Sequence, residues 1–579
     1  MLKKLSGSIR EYALPTVLTP IFMVGEAVME VLIPYHMADL IDLGIKAGDM
    51  NAIRTIGAKM LILVAISLLC GMLGAGFAAT ASVGYASNLR HDMYEIIQSF
   101  SFANIDKFST AGLVTRMTTD VTNVQMAYMM MTRMMFRAPS MLIFAMIMAF
   151  RINNRLAFVF FITLPFLAVG LYVMMTKAMP MFERMFKLYD KLNNVVQENL
   201  RGIRVVKAFV REEHEKDKFR EASGNVYKTS VSAETTMAFM QPLMQICMYG
   251  CNLLISWLGA RLIIRGSMTT GELMSFITYI MQILMSLMMF SMVILMLTIA
   301  SAAAKRIVEV LDEKPDITDC ASPLLEVADG SVDFEDVSFG YGDSKDCLSG
   351  INLHIKSGET IGVIGGTGSG KSSLVQLIPR LYDVRSGVVK VGGTDVREIA
   401  LDSLRGSVAM VLQKNVLFTG TVESNLRWGK EDASPEEMKR ACEIAQADSF
   451  IMNMPGGYGA EIEQGGTNVS GGQRQRLCIA RALVGQPKIL ILDDSTSAVD
   501  TATERSIREG LRQYMPETTK IIIAQRISSV RDADRIIVID NGMINGLGTH
   551  EELLAGNAIY REVYESQNKG GDFDAPSKE

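Results

Sequence analysis

The chain has 579 residues, 49% of them hydrophobic and 21% charged, which excludes a disordered or collagen-like protein. With 57 basic and 62 acidic residues the net charge is −5, so there is no global basic field and no nucleic-acid partner is expected. The seven cysteines (Cys70, Cys247, Cys251, Cys320, Cys347, Cys442, Cys478) show no metal-ligand spacing, and an odd count in a long chain makes reduced thiols the expectation.

Residues 1–12 are basic and amphipathic (Lys3, Lys4, Arg10) and read as an interfacial helix on the cytoplasmic face. A signal peptide is disfavoured, because the apolar stretch that follows is too long, carries Glu26 and Glu30, and shows no clear cleavage site. Six stretches reach the roughly 20 residues needed to span a bilayer. They lie at 16–41, 57–84, 131–151, 155–177, 239–262 and 273–299. The connections 42–56, 152–154 and 263–272 are short, whereas 85–130 and 178–238 are long, polar and helical in pattern. These two arms carry many Lys and Arg, which places them on the cytoplasmic side. Arg151 and Arg155 flank a short outer loop and argue the other way, but the arms and the soluble part outvote them.

The sequence divides into a helical membrane part at 1–310, a linker at 311–330, a soluble part at 331–567 and a disordered tail at 568–579. Pro315 and Pro323 mark the linker. In the soluble part short β-rich runs alternate with helical patterns, which predicts an α/β fold with a parallel sheet.

The run IGVIG at 361–365 reads as a buried strand, and Gly365-Gly366-Thr367-Gly368-Ser369-Gly370-Lys371-Ser372 then fits G-x-x-x-x-G-K-S. Glycines let such a loop fold back until successive N–H groups point at phosphate oxygens. Lys371 is expected to reach the β and γ phosphates of a bound nucleotide, Ser372 to bind Mg²⁺, and Ser373 to take part in nucleotide binding. A second apolar strand at 488–494 ends in Asp493, where the Mg²⁺-side carboxylate of a P-loop fold belongs.

Between these runs stands NVSGGQRQRLCIARAL, at 468–483. Here the sequence resembles the ATP-binding cassette family, whose signature is close to LSGGQ; this chain has Ser470, Gly471, Gly472 and Gln473 after Val469. Other motifs match in order. Tyr341 stands where the family stacks an aromatic ring on adenine, Gln413 where it has its γ-phosphate, metal and coupling glutamine, and Ser497-Ala498-Val499-Asp500 resembles its partner-touching loop. The resemblance covers the chain and implies an exporter-type half-transporter: six helices fused to a P-loop ATPase domain with a helical subdomain, working as a dimer in a bacterial plasma membrane. In that dimer each signature faces the nucleotide on the opposite chain.

Two positions depart from the family pattern. The residue after the metal Asp is Asp494 rather than Glu. One methylene shorter, its carboxylate falls back by roughly 1.5 Å, and a misplacement on that scale lowers a rate about 100-fold. Gln525 stands in place of the family's His, and an amide cannot be charged or shuttle a proton. The signature is nearly intact and serves the partner's nucleotide. The pattern resembles the degenerate-site subunit of bacterial heterodimeric multidrug-type exporters, so the expected partner is a different half-transporter chain.

In the membrane part, Glu26 and Glu30 lie one turn apart, and Glu26 and Arg137 fall at similar depth and could pair. The acids read either as cavity groups favouring cationic amphiphiles or as members of an internal ion pair. Met281, Met285, Met288, Met292 and Met296 form a stripe at helical spacing, and Met237, Met240, Met244 and Met248 form another. Flexible thioethers suit either a cavity for varied apolar shapes or plain helix packing. The expected cargo is hydrophobic or amphiphilic, with a lipid or peptide exporter and a non-hydrolysing ATP sensor as the rival functions.

Overall fold

The computed structural model describes residues 2–569 apart from 343, 496 and 497. Two compact units are present. The first holds the chain up to Gln98 together with Ala111–Glu313, and the second holds Ser99–Thr110 with the chain from Lys314 onward.

The first unit is helical. Among the described residues, six helical runs are long and apolar enough to cross a membrane: Lys3–Ile45, Met50–Gln98, Thr110–Ile152, Asn154–Arg201, Glu212–Ile264 and Thr270–Asp312. Each contains one predicted span. The arms are continuations of these helices. Met50–Gln98 runs 49 residues without a break, about 74 Å at 1.5 Å per residue, against a hydrocarbon core of about 30 Å. The tight outer turn at 152–154 is set by Asn153, whose side chain accepts from the amides of Arg155 and Leu156 at 3.1 and 3.2 Å. Thr269 and Glu272 make a reciprocal capping box that starts the sixth span.

The first, second, third and sixth spans pack on one another, while the fourth packs along the fifth. Their shared core includes Ala27, Val31, Met141, Ala145, Phe160, Ile255, Phe276 and Ile280. The start of the third helix passes through a π-turn at Arg116–Asp120. There the buried Asp120 carboxylate accepts from Arg306 of the sixth helix at 2.7 Å, and Arg116 meets Glu309 at 3.1 Å. The amino-terminal segment is pinned to the second helix, with Ser8 Oγ and Arg10 each donating to Asp92 at 2.6 Å. Gly84 has no Cβ there because one would collide with the Tyr12 ring.

The second unit has strands β1 (Val332–Phe339), β2 (Leu348–Ile355), β3 (Thr360–Gly365), β4 (Ser386–Val391), β5 (Thr394–Asp395), β6 (Val408–Val411), β7 (Gly420–Thr421), β8 (Glu461–Ile462), β9 (Ile489–Asp493), β10 (Thr519–Ile523), β11 (Arg535–Asp540) and β12 (Met543–Gly548). The main sheet has the order β12-β11-β3-β10-β9-β6 and is parallel except for the β11–β12 pair. An antiparallel sheet of order β2-β1-β4-β5 lies beside it. Both faces of the central strands are covered, and β9 and β10 are buried at every position. The register aligns Ile523 with Asp493 on one side and Val363 on the other. The carboxyl ends of β3, β9 and β10 therefore lie together, as ligand sites in such sheets require.

One expectation is corrected. The predicted arm 85–130 breaks at 99–110, and its helix Phe102–Phe108 belongs to the second unit. Buried Asn104 fastens it, donating to Lys314 O at 3.1 Å and accepting from Asp316 N at 3.3 Å. The expected linker 311–330 is irregular and mostly exposed after the sixth span ends at Asp312, with Ile317 and Val327 buried along it. Leu324 N donates to Glu398 O at 2.8 Å, and Ala400 N donates to Leu324 O at 2.9 Å. Of the tail 568–579, the first two residues close the helix Ala558–Lys569; the rest lies outside the described residues.

Candidate nucleotide-binding site

The phosphate loop leaves β3 at Gly365, where a Cβ would run into Ile539 O of the neighbouring strand. Gly368 and Gly370 hold φ of +79° and +100°, which a side chain disfavours. Gly366, Thr367 and Gly368 are exposed, and Ser369 is buried with its hydroxyl unpaired. Lys371 Nζ donates to Gly365 O and Gly366 O at 3.0 and 2.7 Å, so the ammonium sits over the loop. Burial lowers its pKa from the ordinary lysine value, while Asp493 and Asp494 pull the other way.

Ser372 Oγ donates to Asp493 Oδ1 at 3.1 Å. Burial pushes the Asp493 carboxyl up, and the bond from Ser372 opposes this. A hydroxyl and a carboxylate on adjacent elements form an oxygen donor set suited to Mg²⁺. The unpaired Ser369 hydroxyl, the reachable Lys371 and this pair together fit a magnesium-bound nucleoside triphosphate.

Asp494 has a φ of +47°, in the left-handed region that short polar side chains tolerate. Its amide donates to Ile523 O at 3.0 Å. Gln525 Nε2 donates to Asp494 Oδ2 at 2.8 Å, and a bond from Gln413 reaches the same carboxylate. Burial raises the Asp494 pKa, with these two bonds and Lys371 working against it. The two positions that depart from the family pattern thus hold each other directly.

Tyr341 is partly exposed, and its hydroxyl lies 2.9 Å from Ser373 Oγ and 3.1 Å from Gln376 Oε1. Ser470, Gly471, Gly472 and Gln473 head a different helix, Gly471–Val484. Ser470 and Gln473 form its capping box. Gly472 packs close to the loop after β9, since a Cβ there would stand 3.0 Å from Ala498 O. Gln475, which sequence reasoning passed over, ties that loop down by accepting from Ala498 N at 3.0 Å. Ser497 lies outside the described residues.

In the membrane unit, Arg137 Nη2 donates to Glu30 at 2.9 Å and to Glu26 at 3.4 Å. The acid with the shorter contact is Glu30, one turn further along the span than the partner the depth count picked. Gln282, also missed from sequence, donates to Glu30 O at 3.3 Å, and Glu26 Oε2 and Gln282 Oε1 are buried without a hydrogen-bond partner. Met281, Met285 and Met292 are exposed at 42%, 53% and 54%, whereas Met288 is half-buried. Met240, Met244 and Met248 pack against the helical core, so on the fifth span the stripe is a packing feature.

Comparison with known proteins agrees with this layout. Residues 16–287 match the ABC transporter transmembrane region, and residues 348–497 match the ABC transporter family of ATP-binding domains. The chain is 36% identical over 98% of both chains to an uncharacterized ABC transporter ATP-binding protein, YfiB, of Bacillus subtilis. It is 32% identical to an ATP-dependent lipid A-core flippase of Desulfotalea psychrophila, over 98% of this chain and 99% of the other. It is 31% identical to a probable multidrug resistance ABC transporter ATP-binding/permease protein, YheI, of Bacillus subtilis, over 98% and 97%. The fold superposes on a bacterial Atm1-family ABC exporter with ATP bound, with a TM-score of 0.80, 24% identity, and coverage of 97% of this chain and 99% of that one. The chain belongs to the ABC transporter family, as a multi-pass membrane half-transporter of exporter fold with a cytoplasmic nucleotide-binding domain.

Proposed function

We propose that this chain is one subunit of a heterodimeric exporter for hydrophobic or amphiphilic compounds in a bacterial plasma membrane. Its own site binds Mg²⁺–ATP and hydrolyses it slowly. The observation that carries this reading is the Asp494–Gln525 pair at 2.8 Å. Hydrolysis needs a carboxylate extended to orient the attacking water and a group that stabilises charge building on the γ phosphate. Asp494 is one methylene short and spends an oxygen on Gln525, and the amide cannot carry charge. Lys371 holds the phosphates, and Ser372, Asp493 and Gln413 hold the metal, so binding survives where turnover does not. The intact signature, Ser470 to Gln473, then completes a competent site on a different partner chain.

The amphiphile class is supported by the exposed methionines of the sixth span, by the Glu26–Arg137–Glu30 cluster, and by relatives that bear lipid-flippase and multidrug names. The test is steady-state ATPase of the purified chain, alone and with a half-transporter that carries Glu and His at the matching positions. Binding without robust turnover alone, and cargo-stimulated turnover in the pair, are the expected results. Robust hydrolysis by the chain alone refutes the impaired site. Turnover of the pair that no amphiphile stimulates favours an ATP-sensing subunit instead.

A further inference from the structure

Strand β10 carries a lysine where its pattern calls for an aliphatic residue. Lys520 and Ile522 share one face of the strand, and Ile522 packs in one apolar core with Ile507 and Leu511 of the helix Thr501–Tyr514. Lys520 is only 4% exposed. Its ammonium donates to Thr518 O at 2.7 Å, and among the described residues it forms no ion pair. Asp534, the acid that acts on it, is committed elsewhere: it accepts from Thr360 N at 2.8 Å and lies 3.8 Å from Arg512. Burial lowers the Lys520 pKa, Arg512 adds to this, and Asp534 opposes it. An ammonium has three N–H donors, so Lys520 keeps donors to spare, and a buried charge without a counter-ion is strongly unfavourable.

Lys520 lines a cavity of about 290 Å³ between that helix, the start of β10 and the loop 529–533, near the lower end of small-ligand sites. Arg505, Arg508 and Arg512, on one face of the helix, line it as well, so four cations stand against Glu509 and Asp532. Arg505 is already paired with Glu509 at 2.9 Å. Arg508 is half-buried and is held in place by Nη1, which donates to Ser528 O at 2.8 Å. We propose that this cleft binds a small phosphate-bearing anion, a free phosphate or a phosphomonoester, between Lys520 and Arg508. A phosphate group supplies the counter-charge that Lys520 lacks and acceptors enough for the ammonium and a guanidinium together. The place is distinct from the nucleotide loop. Lys520 lies at the amino end of β10, paired with Thr360 at the start of β3, whereas the phosphate loop leaves β3 at its carboxyl end. The inference rests on neither the nucleotide reading of that loop nor the heterodimer.

The test is titration calorimetry of the full chain in lipid nanodiscs, with ribose 5-phosphate, inorganic phosphate and uncharged ribose as probes. The chain carries Lys371→Ala throughout, which weakens competition from the phosphate loop. At least one phosphate probe binds once per chain with Kd below about 1 mM, and ribose does not bind. Equal affinity for the two phosphates assigns the cleft to the free ion, and tighter binding of ribose 5-phosphate assigns it to an ester; both support the proposal. Lys520→Met lowers the affinity about 30-fold or more, as loss of one partner of a buried charge pair does. Without anion it keeps the unfolding temperature within about 3 °C, because an apolar side chain replaces an unpaired buried charge. Arg508→Gln lowers the affinity about tenfold, and it tests the site independently should Lys520→Met fail to fold. Arg505→Gln stays within about twofold, its exposed guanidinium being spent on Glu509. Absence of binding by both phosphates overturns the proposal. So does binding that survives Lys520→Met or Arg508→Gln unchanged, or ribose binding as well as its phosphate.

Discussion

Replacing Gly471 with Ala separates the chemistry of the signature from the stability of the fold. A Cβ at Gly471 meets only the Ala498 Cβ, at 3.7 Å, which is ordinary contact. Gly471 opens the helix Gly471–Val484 and is exposed, and Ala in a helix is about 0.5–1 kcal/mol better than Gly. The substitution therefore leaves the melting temperature unchanged or slightly raised. The neighbouring positions are poorer probes. Ser470→Ala removes a capping box, at about 1 kcal/mol. Gly472→Ala puts a Cβ 3.0 Å from Ala498 O and forces the helix start to shift. In the proposed dimer the new methyl group at Gly471 stands where backbone amides must approach the partner's γ phosphate. Loss of one such donor costs about 100- to 1,000-fold, which is about 2.7–4 kcal/mol of activation free energy. Asp494→Glu in the same chain restores reach but leaves Gln525 in place, so it raises the rate by less than about threefold. The assay is steady-state phosphate release by the assembled pair with one wild-type partner, alongside thermal unfolding of each variant. If Gly471→Ala stays within about twofold of wild type while Asp494→Glu raises turnover severalfold, the two sites have been assigned the wrong way round.

Lys371→Ala removes the ammonium that caps the loop carbonyls and weakens ATP binding at this chain's site, while the pair keeps part of its activity; complete loss, equal to the same change in the partner, contradicts the division of labour. Glu26→Gln leaves Arg137 its bond to Glu30 at 2.9 Å, so the protein folds and export shifts toward less cationic compounds; identical export of cations and neutrals makes the carboxylate purely structural. Arg137→Met strands two carboxylates in the span and lowers thermal stability by about 3–5 kcal/mol, read by unfolding in detergent. Burial pushes the Cys442 thiol up to about 12, so at neutral pH maleimide labels exposed Cys320 and spares Cys442 until the domain unfolds.

The local chemistry was legible because it is written in contiguous residues. The run from Gly365 to Ser372 and the strand ending at Asp493 announce a phosphate site by order and hydropathy alone, and the six spans announce themselves by length. Contacts between residues far apart in sequence were not legible. Asn104 reaches Lys314 across 210 positions, and no periodicity near either one signals it. The same holds for Tyr382, which donates to Asp106 Oδ2 at 2.7 Å; the two read separately as an ordinary aromatic and an ordinary helix acid. Counting depth along straight spans paired Arg137 with Glu26, but one helical turn is only about 5.4 Å and a long guanidinium spans it. Two prolines mark the end of a helix, but they say nothing of whether Ile317 and Val327 find a core beyond it.

The ion pair at Asp120 bears on how the third and sixth helices can move relative to one another. Asp120 and Arg306 join the third and sixth helices at their polar ends, while Met141, Ala145, Ile280 and Ile283 join them again deep in the bundle. From Asp120 to Ala145 is 25 residues, or about 37 Å along the helix axis. Joined at two levels that far apart, the two helices are expected to tilt together more readily than to slide past one another.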